Sequence, residues 1–190
     1  MNQQDFISNA IKTESVVEEA KVDAKLLTST LQLFVETTEI LDSIKKKVFY
    51  GNDAKYDETV LNSLTNITKI TYDLGFAYER LKEGVFNEEY PAVNTRILHG
   101  VIGIATEAGE LVECLLKSLL DGSELDVVNL KEEMFDADWY KAVISDECGI
   151  EWDVEWDRII NKLKHRYGDK FSSEAATNRD LKKEREILES

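Results

Sequence analysis

The stretch from Asn94 to Leu120, NTRILHGVIGIATEAGELVECLLKSLL, has no proline and repeats apolar residues at three- and four-residue intervals, the period of an α-helix. The next residues, Asp121-Gly122-Ser123-Glu124, include turn formers, and Leu125 to Cys148 resumes the helical pattern. A short turn between two long helices predicts an antiparallel hairpin. Outward from it, Gly51, Gly84, Gly122, Gly149 and Gly168 stand where helical patterns stop, as left-handed residues beyond helix ends do.

These glycines divide the rest of the chain. Upstream, Phe6, Ile7, Ala10 and Ile11, then Leu26, Leu27, Leu31, Leu33, Phe34, Ile40, Leu41 and Ile44, keep helical spacing with a break expected near Val22 to Ala24. A helix is also expected from Tyr56 to Leu81, although Thr65 to Thr71 is rich in β-branched residues. The stretch Asn87-Glu88-Glu89-Tyr90-Pro91 reads as looser, with Pro91 the clearest internal boundary. Downstream, Asp153 to Tyr167 reads as a helix with Trp156, Ile159, Ile160 and Leu163 on one side. The polar tail from Ser172 to Ser190 reads as a short helix or as partly disordered. One proline and nine glycines in 190 residues suit long helices better than a turn-rich sheet fold. The expectation is an all-α bundle of antiparallel helices forming one structural domain. Residues 1–84 would be N-terminal helices packed on the core, 92–170 the chemical core, and 171–190 a tail.

A net charge of −15 argues against broad DNA or RNA binding, which rests on cations displacing counterions from phosphates. No nucleic-acid partner is expected. The N-terminal residues carry no basic region followed by an apolar run, and no apolar stretch is long enough to cross a bilayer. A cytoplasmic protein without a membrane partner is therefore expected. Cys114 and Cys148 lack the spacing of a zinc or redox motif and are expected to be buried free thiols. Trp139, Tyr140 and Trp156 are expected to pack in the core, and His99 to be structural.

Two segments carry paired acids three residues apart: Glu107 with Glu110, and Glu133 with Asp136. On a helix each pair shares one face, where like charges repel unless a cation lies between them. The apolar neighbours Ile104, Leu111, Val112, Met134, Phe135 and Trp139 make an ordinary solvated stripe a poorer description. The hairpin turn would bring the pairs face to face, and such an oxygen-only set suits Mg²⁺ or Mn²⁺. A di-iron carboxylate bundle would need a Glu-x-x-His motif, which is absent.

Glu107-x-x-Glu110 and Glu133-x-x-Asp136, with Trp139-Tyr140 following and Gly109, Leu111 and Glu132 alongside, resemble the signature of MazG-like nucleotide pyrophosphohydrolases. These belong to the all-α NTP pyrophosphatase superfamily. Lys162-Leu163-x-x-Arg166-Tyr167, Phe171 and Asn178-Arg179-Asp180-Leu181 resemble the family's C-terminal signature, above all in phage-encoded versions. Ile11 to Ser15 and Lys47 to Gly51 resemble those versions as well. Phe135 departs from the pattern, since relatives usually carry glycine there.

The resemblance implies a MazG-like fold with an N-terminal helical extension, and Mg²⁺-dependent hydrolysis of a (deoxy)nucleoside triphosphate to the monophosphate and pyrophosphate. Glu107, Glu110, Glu133 and Asp136 would be metal ligands and catalytic residues. Lys162 and Arg166 would contact phosphates, with Asn178, Arg179 and Lys117 as further contacts. A homodimer or homotetramer is implied, in the host cytoplasm if the chain is phage-encoded. The alternative is a catalytically silent helical protein that senses nucleotides or binds a partner.

Overall fold

The computed structural model describes residues 2–15, 21–52, 54–85, 88–89 and 92–190. The chain is all-α, as expected. Its elements are α1 (Gln3–Ala10), a 3₁₀ turn (Ile11–Thr13), β1 (Val22–Asp23), α2 (Ala24–Tyr50), α3 (Tyr56–Lys82), β2 (Glu88–Glu89), α4 (Thr95–Asp121), α5 (Val127–Cys148), α6 (Trp152–Tyr167), α7 (Ser173–Thr177) and α8 (Leu181–Leu188). All five glycines read as helix ends have positive φ, from 62° to 73°. Pro91, expected as a boundary, lies outside the described residues together with Asn87 and Tyr90.

The chain forms two compact units, one of Met1–Ala20 with Pro91–Glu155 and the other of Lys21–Tyr90 with Trp156–Ser190. In the first, α4 packs along α5 and α1 packs on α5. Arg96 bonds Glu147, Gly100 approaches Ile144, Gly103 approaches Tyr140, and Cys114 accepts from Asn129. Each step up α4 is thus matched by an equal step down α5, which makes the pair antiparallel. The glycines set the spacing. A Cβ on Gly103 would come within 2.1 Å of the Tyr140 ring, and one on Gly100 within 2.5 Å of Ile144. Ile7, Ala10 and Ala142 form a small core, with Phe6, Trp139 and Trp152 packed around it. The Trp139 indole N–H is shared between the Ala10 carbonyl at 3.1 Å and the Thr13 hydroxyl at 2.9 Å, fastening the N-terminal segment to α5.

In the second unit α2 and α3 form a long hairpin. The residues it buries are Ser29 and Ser43 on α2, and Ser63, Ile70 and Ala77 on α3. Their spacing by multiples of seven is that of a coiled-coil seam, and small side chains let the helices approach closely. The larger apolar residues Phe34, Leu41, Ile44, Leu61 and Leu64 are left exposed. Thr65 to Thr71 is helical despite its β-branching. The break near Val22 is a short strand, with Val22 and Asp23 pairing antiparallel with Glu89 and Glu88. Asp23 also caps α2 through the Leu26 N–H and accepts from Arg80 at 3.0 Å.

Of the two readings of the tail, helix is the one found, as α7 and α8, with Ser172 and Asp180 each capping a helix N-terminus with a side-chain oxygen. Two expectations are corrected. Cys148 is exposed, since it ends α5 just before Gly149, whereas Cys114 is buried. Trp156 is 57% exposed and not a core residue: it is Trp152, one turn earlier, that faces inward, donating to Ser145 Oγ at 2.6 Å. No helix among the described residues is long and apolar enough to cross a membrane.

The glycine contacts predict a contrast. Gly103→Ala should lower stability by about 1–3 kcal/mol, because the ring of Tyr140 must move. Gly109→Ala, whose Cβ meets nothing within 4 Å, should raise it by roughly 0.5–1 kcal/mol through helix propensity. Denaturant titration of both variants measures the contrast.

Candidate functional site

Glu107 and Glu110 lie on α4, one and two turns beyond Gly103, and Glu133 and Asp136 lie on α5, two turns and one turn before Tyr140. The antiparallel register therefore brings the two acid pairs together. Glu107, Glu110 and Glu133 each offer a carboxylate oxygen within 4.8 Å of the others. Glu107 and Glu133 are only 8% and 6% exposed, whereas Glu110 is open to solvent. Asp136 stands outside this tight triad. Together with Glu107, Thr13, Trp139 and Tyr140 it lines an adjoining cavity of about 340 Å³.

The electrostatics are those of a site short of positive charge. The Glu110 carboxyl is held above its ordinary value, first by the charge on Glu133. Burial pushes the Glu133 carboxyl up, and the hydrogen bond and charge of Glu107 push the same way. Burial, then the charges of Glu107, Asp136 and Glu110, also raise the Tyr140 hydroxyl, which stays protonated and able to donate. Three carboxylates at this separation have the donor chemistry and spacing to hold a hard divalent cation.

The basic residues singled out by sequence have partners and exposures of their own within each unit. Arg166 donates through Nε and Nη2 to the two carboxylate oxygens of Glu184, at 2.7 and 2.6 Å. Arg179 donates to the same carboxylate at 3.3 and 2.6 Å. Lys162 is half-buried and has no ion pair among the described residues, while Asn178 is exposed at the end of α7. Lys117 is exposed and pairs with Glu113 one turn earlier. Glu132 is exposed, and Asn129 donates to the Cys114 sulfur. His99 makes edge-on ring contacts with Trp139 and Tyr140, the structural role expected of it.

Sequence reasoning missed two charged centres. Glu184, 3% exposed, is the acid that gathers Arg166 and Arg179, and it is held at about 2 by their hydrogen bonds. Arg96 gathers Glu14, Asp146 and Glu147 at 2.7 to 2.8 Å, joining the N-terminal segment to the start of α4 and the end of α5. The two arginines flagged before Glu184 were a signal for the first centre. For Arg96, no local spacing announces partners so distant in sequence.

No protein-family model matches the chain, and no solved structure matches it. Over 141 residues it is 27% identical to a protein of Dictyostelium discoideum named probable polyketide synthase 17. The match covers 69% of this chain and 5% of that protein, so the chain spans about a twentieth of that relative's length.

The shifts have opposite pH signatures. Glu110 and Glu133 bind protons more tightly folded than unfolded. Their contribution to metal-free stability is thus fully present below the ordinary value of 4.5 and lost as pH rises through the raised values. Glu184 contributes stability present above 4.5 and lost as pH falls through about 2. In EDTA, Glu133→Gln should melt above the wild type at neutral pH and lose less stability between pH 4.5 and neutrality. Glu184→Gln should be less stable than the wild type at neutral pH by about 3 kcal/mol. Thermal and denaturant melts across pH test both.

Proposed function

We propose that the chain is a Mg²⁺-dependent nucleoside triphosphate pyrophosphohydrolase of the MazG-like type, with Mn²⁺ as an alternative metal. The observation that carries this reading is the convergence of Glu107, Glu110 and Glu133 within 4.8 Å, with two of the three nearly shut off from solvent. Unpaired acids this crowded are costly, and a divalent cation is the counter-charge that suits an all-oxygen donor set. The residues present fit that ion.

In this reading Glu107, Glu110 and Glu133 hold the metal. Asp136 adds a fourth carboxylate at the neighbouring cavity. When bound, Mg²⁺ neutralises triphosphate charge and lowers the pKa of a water for attack. Water adds to the α-phosphorus, the bond to the bridging oxygen breaks, pyrophosphate leaves with the bonding pair, and a proton is released. The protonated Tyr140 hydroxyl supplies a donor at the cavity wall. Trp139, bonded to Ala10 and Thr13, holds the N-terminal segment at that wall. Lys162, Arg166, Asn178, Arg179 and Lys117 keep the phosphate-contact roles that the family resemblance gives them, and a homodimer or homotetramer goes with the same resemblance.

The engagement of Arg166 and Arg179 by one carboxylate favours a second reading, a nucleotide-sensing protein without turnover.

With Mg²⁺ and a panel of ribo- and deoxyribonucleoside triphosphates, wild-type protein should release pyrophosphate from at least one. Glu107→Gln should lower the rate by more than the roughly 10–100-fold typical of residues that only orient metal ligands. Pyrophosphate release from no nucleotide would sink the reading. A nucleotide-dependent rise in melting temperature without turnover would establish the second one.

A further inference from the structure

A second cavity, of about 370 Å³, lies wholly within the unit built on α2 and α3. The end of α2, the start of α3 and the α7–α8 connection surround it. Among the described lining residues its cations are Lys46, Lys55 and Arg179, its uncharged polar groups include Asn52 and Thr177, and Glu39 is the one carboxylate. The Asn52 amide donates to the Thr177 hydroxyl at 3.1 Å, tying α7 to the loop between α2 and α3.

In a chain of net charge −15, positive charge accumulates here. Asp42 is shared by Lys45 and Lys46, and Glu184 is shared by Arg166 and Arg179, so each carboxylate leaves one cation uncompensated. Lys55 has no ion-pair partner among the described residues. Lys47 lies 4.1 Å from the centre of the Tyr56 ring at the same end of the hairpin. The first turn of α3 contributes Tyr56 and Thr59 to the lining and has no side-chain cap among the described residues, so its N–H groups add to the positive charge. Asp57 and Glu58 of that turn are exposed and outside the lining. An ionised Glu39 accepts hydrogen bonds only, so it suits a hydroxyl rather than the anion.

We propose that this cavity binds a small phosphate ester of a sugar or nucleoside, with Lys46, Lys55 and Arg179 around the phosphate and Glu39 accepting from a hydroxyl. The site uses none of the carboxylates of the candidate metal centre and does not depend on turnover there; Arg179, which the family resemblance gives to the triphosphate, is assigned here to this phosphate instead.

Calorimetry in EDTA at low salt tests it, with inorganic phosphate, ribose 5-phosphate, adenosine monophosphate and unphosphorylated ribose as probes. Wild-type protein should bind a phosphate ester saturably, inorganic phosphate more weakly and ribose not at all. Lys55→Ala and Lys46→Ala should each weaken ester binding by roughly tenfold or more, the scale of a lost charge-assisted hydrogen bond. Lys141→Ala, in the other unit and paired with Asp138, should bind like wild type, as should Glu133→Gln. Thermal melts confirm that each variant is folded. The proposal is overturned if wild type shows no saturable ester binding, if Lys55→Ala and Lys46→Ala bind unchanged, if Lys141→Ala loses as much as they do, or if Glu133→Gln abolishes binding. A chain that releases no pyrophosphate can still pass this test, so the two readings fail separately.

Discussion

The contact between the Tyr140 ring and the backbone of Gly103 sets the closeness and register of α4 and α5, and the acidic cluster depends on both. A side chain at Gly103 would separate the helices or displace the ring. One turn further along, that separation would fall between Glu107 and its partners on α5. Acid pairs spaced for one helix face meet across the hairpin only because an uncharged close contact holds them there. Packing supplies the free energy that keeps repelling charges together, as expected where a site carries a locally unfavourable arrangement.

Charge is handled in three ways along the chain. At Arg96 one guanidinium answers three acids, and at Glu184 one acid answers two guanidiniums. Both are built from directional hydrogen bonds between opposite charges. Glu107, Glu110 and Glu133 have no such answer among the described residues: their carboxyls meet one another, and that of Glu110 is pushed up by the charge of Glu133, that of Glu133 by burial and then by Glu107. Of the three centres, it is the one with no group of opposite charge among the described residues. That contrast, more than the number of acids, distinguishes a candidate metal site from a structural ion pair.

Much of the fold was legible because helix ends and helix periods are local properties. Five glycines marked five left-handed residues, and the Asp121 to Glu124 turn implied the hairpin. The acid pairs were legible for the same reason, since three-residue spacing fixes a shared face wherever the helix packs. What stayed hidden depends on partners far along the chain. Hydrophobic periodicity pointed to Phe34, Leu41 and Leu61, yet the seam of the α2–α3 hairpin is made of Ser29, Ser43, Ser63, Ile70 and Ala77, where small size rather than apolarity decides which residues are covered. Trp152 and Trp156 are one turn apart, and only contact with Ser145 and Phe6 tells the inward one from the exposed one. Glu184 reads as one more acid in a polar tail until Arg166 and Arg179 close on it.

The acidity of the whole chain says less about its ligands than its distribution does. A uniform charge of −15 would repel any phosphorylated molecule, but fields act over roughly a Debye length, about 8 Å at physiological ionic strength. Within that range the end of the α2–α3 hairpin presents lysines, an arginine and an uncapped helix start, and the α4–α5 hairpin presents carboxylates suited to a cation. An acidic protein can therefore meet a polyanion in two physically distinct ways, through a divalent ion held by acids or through a local excess of its own cations. The first responds to chelation and the second to salt, so the effect of each on binding shows which is at work.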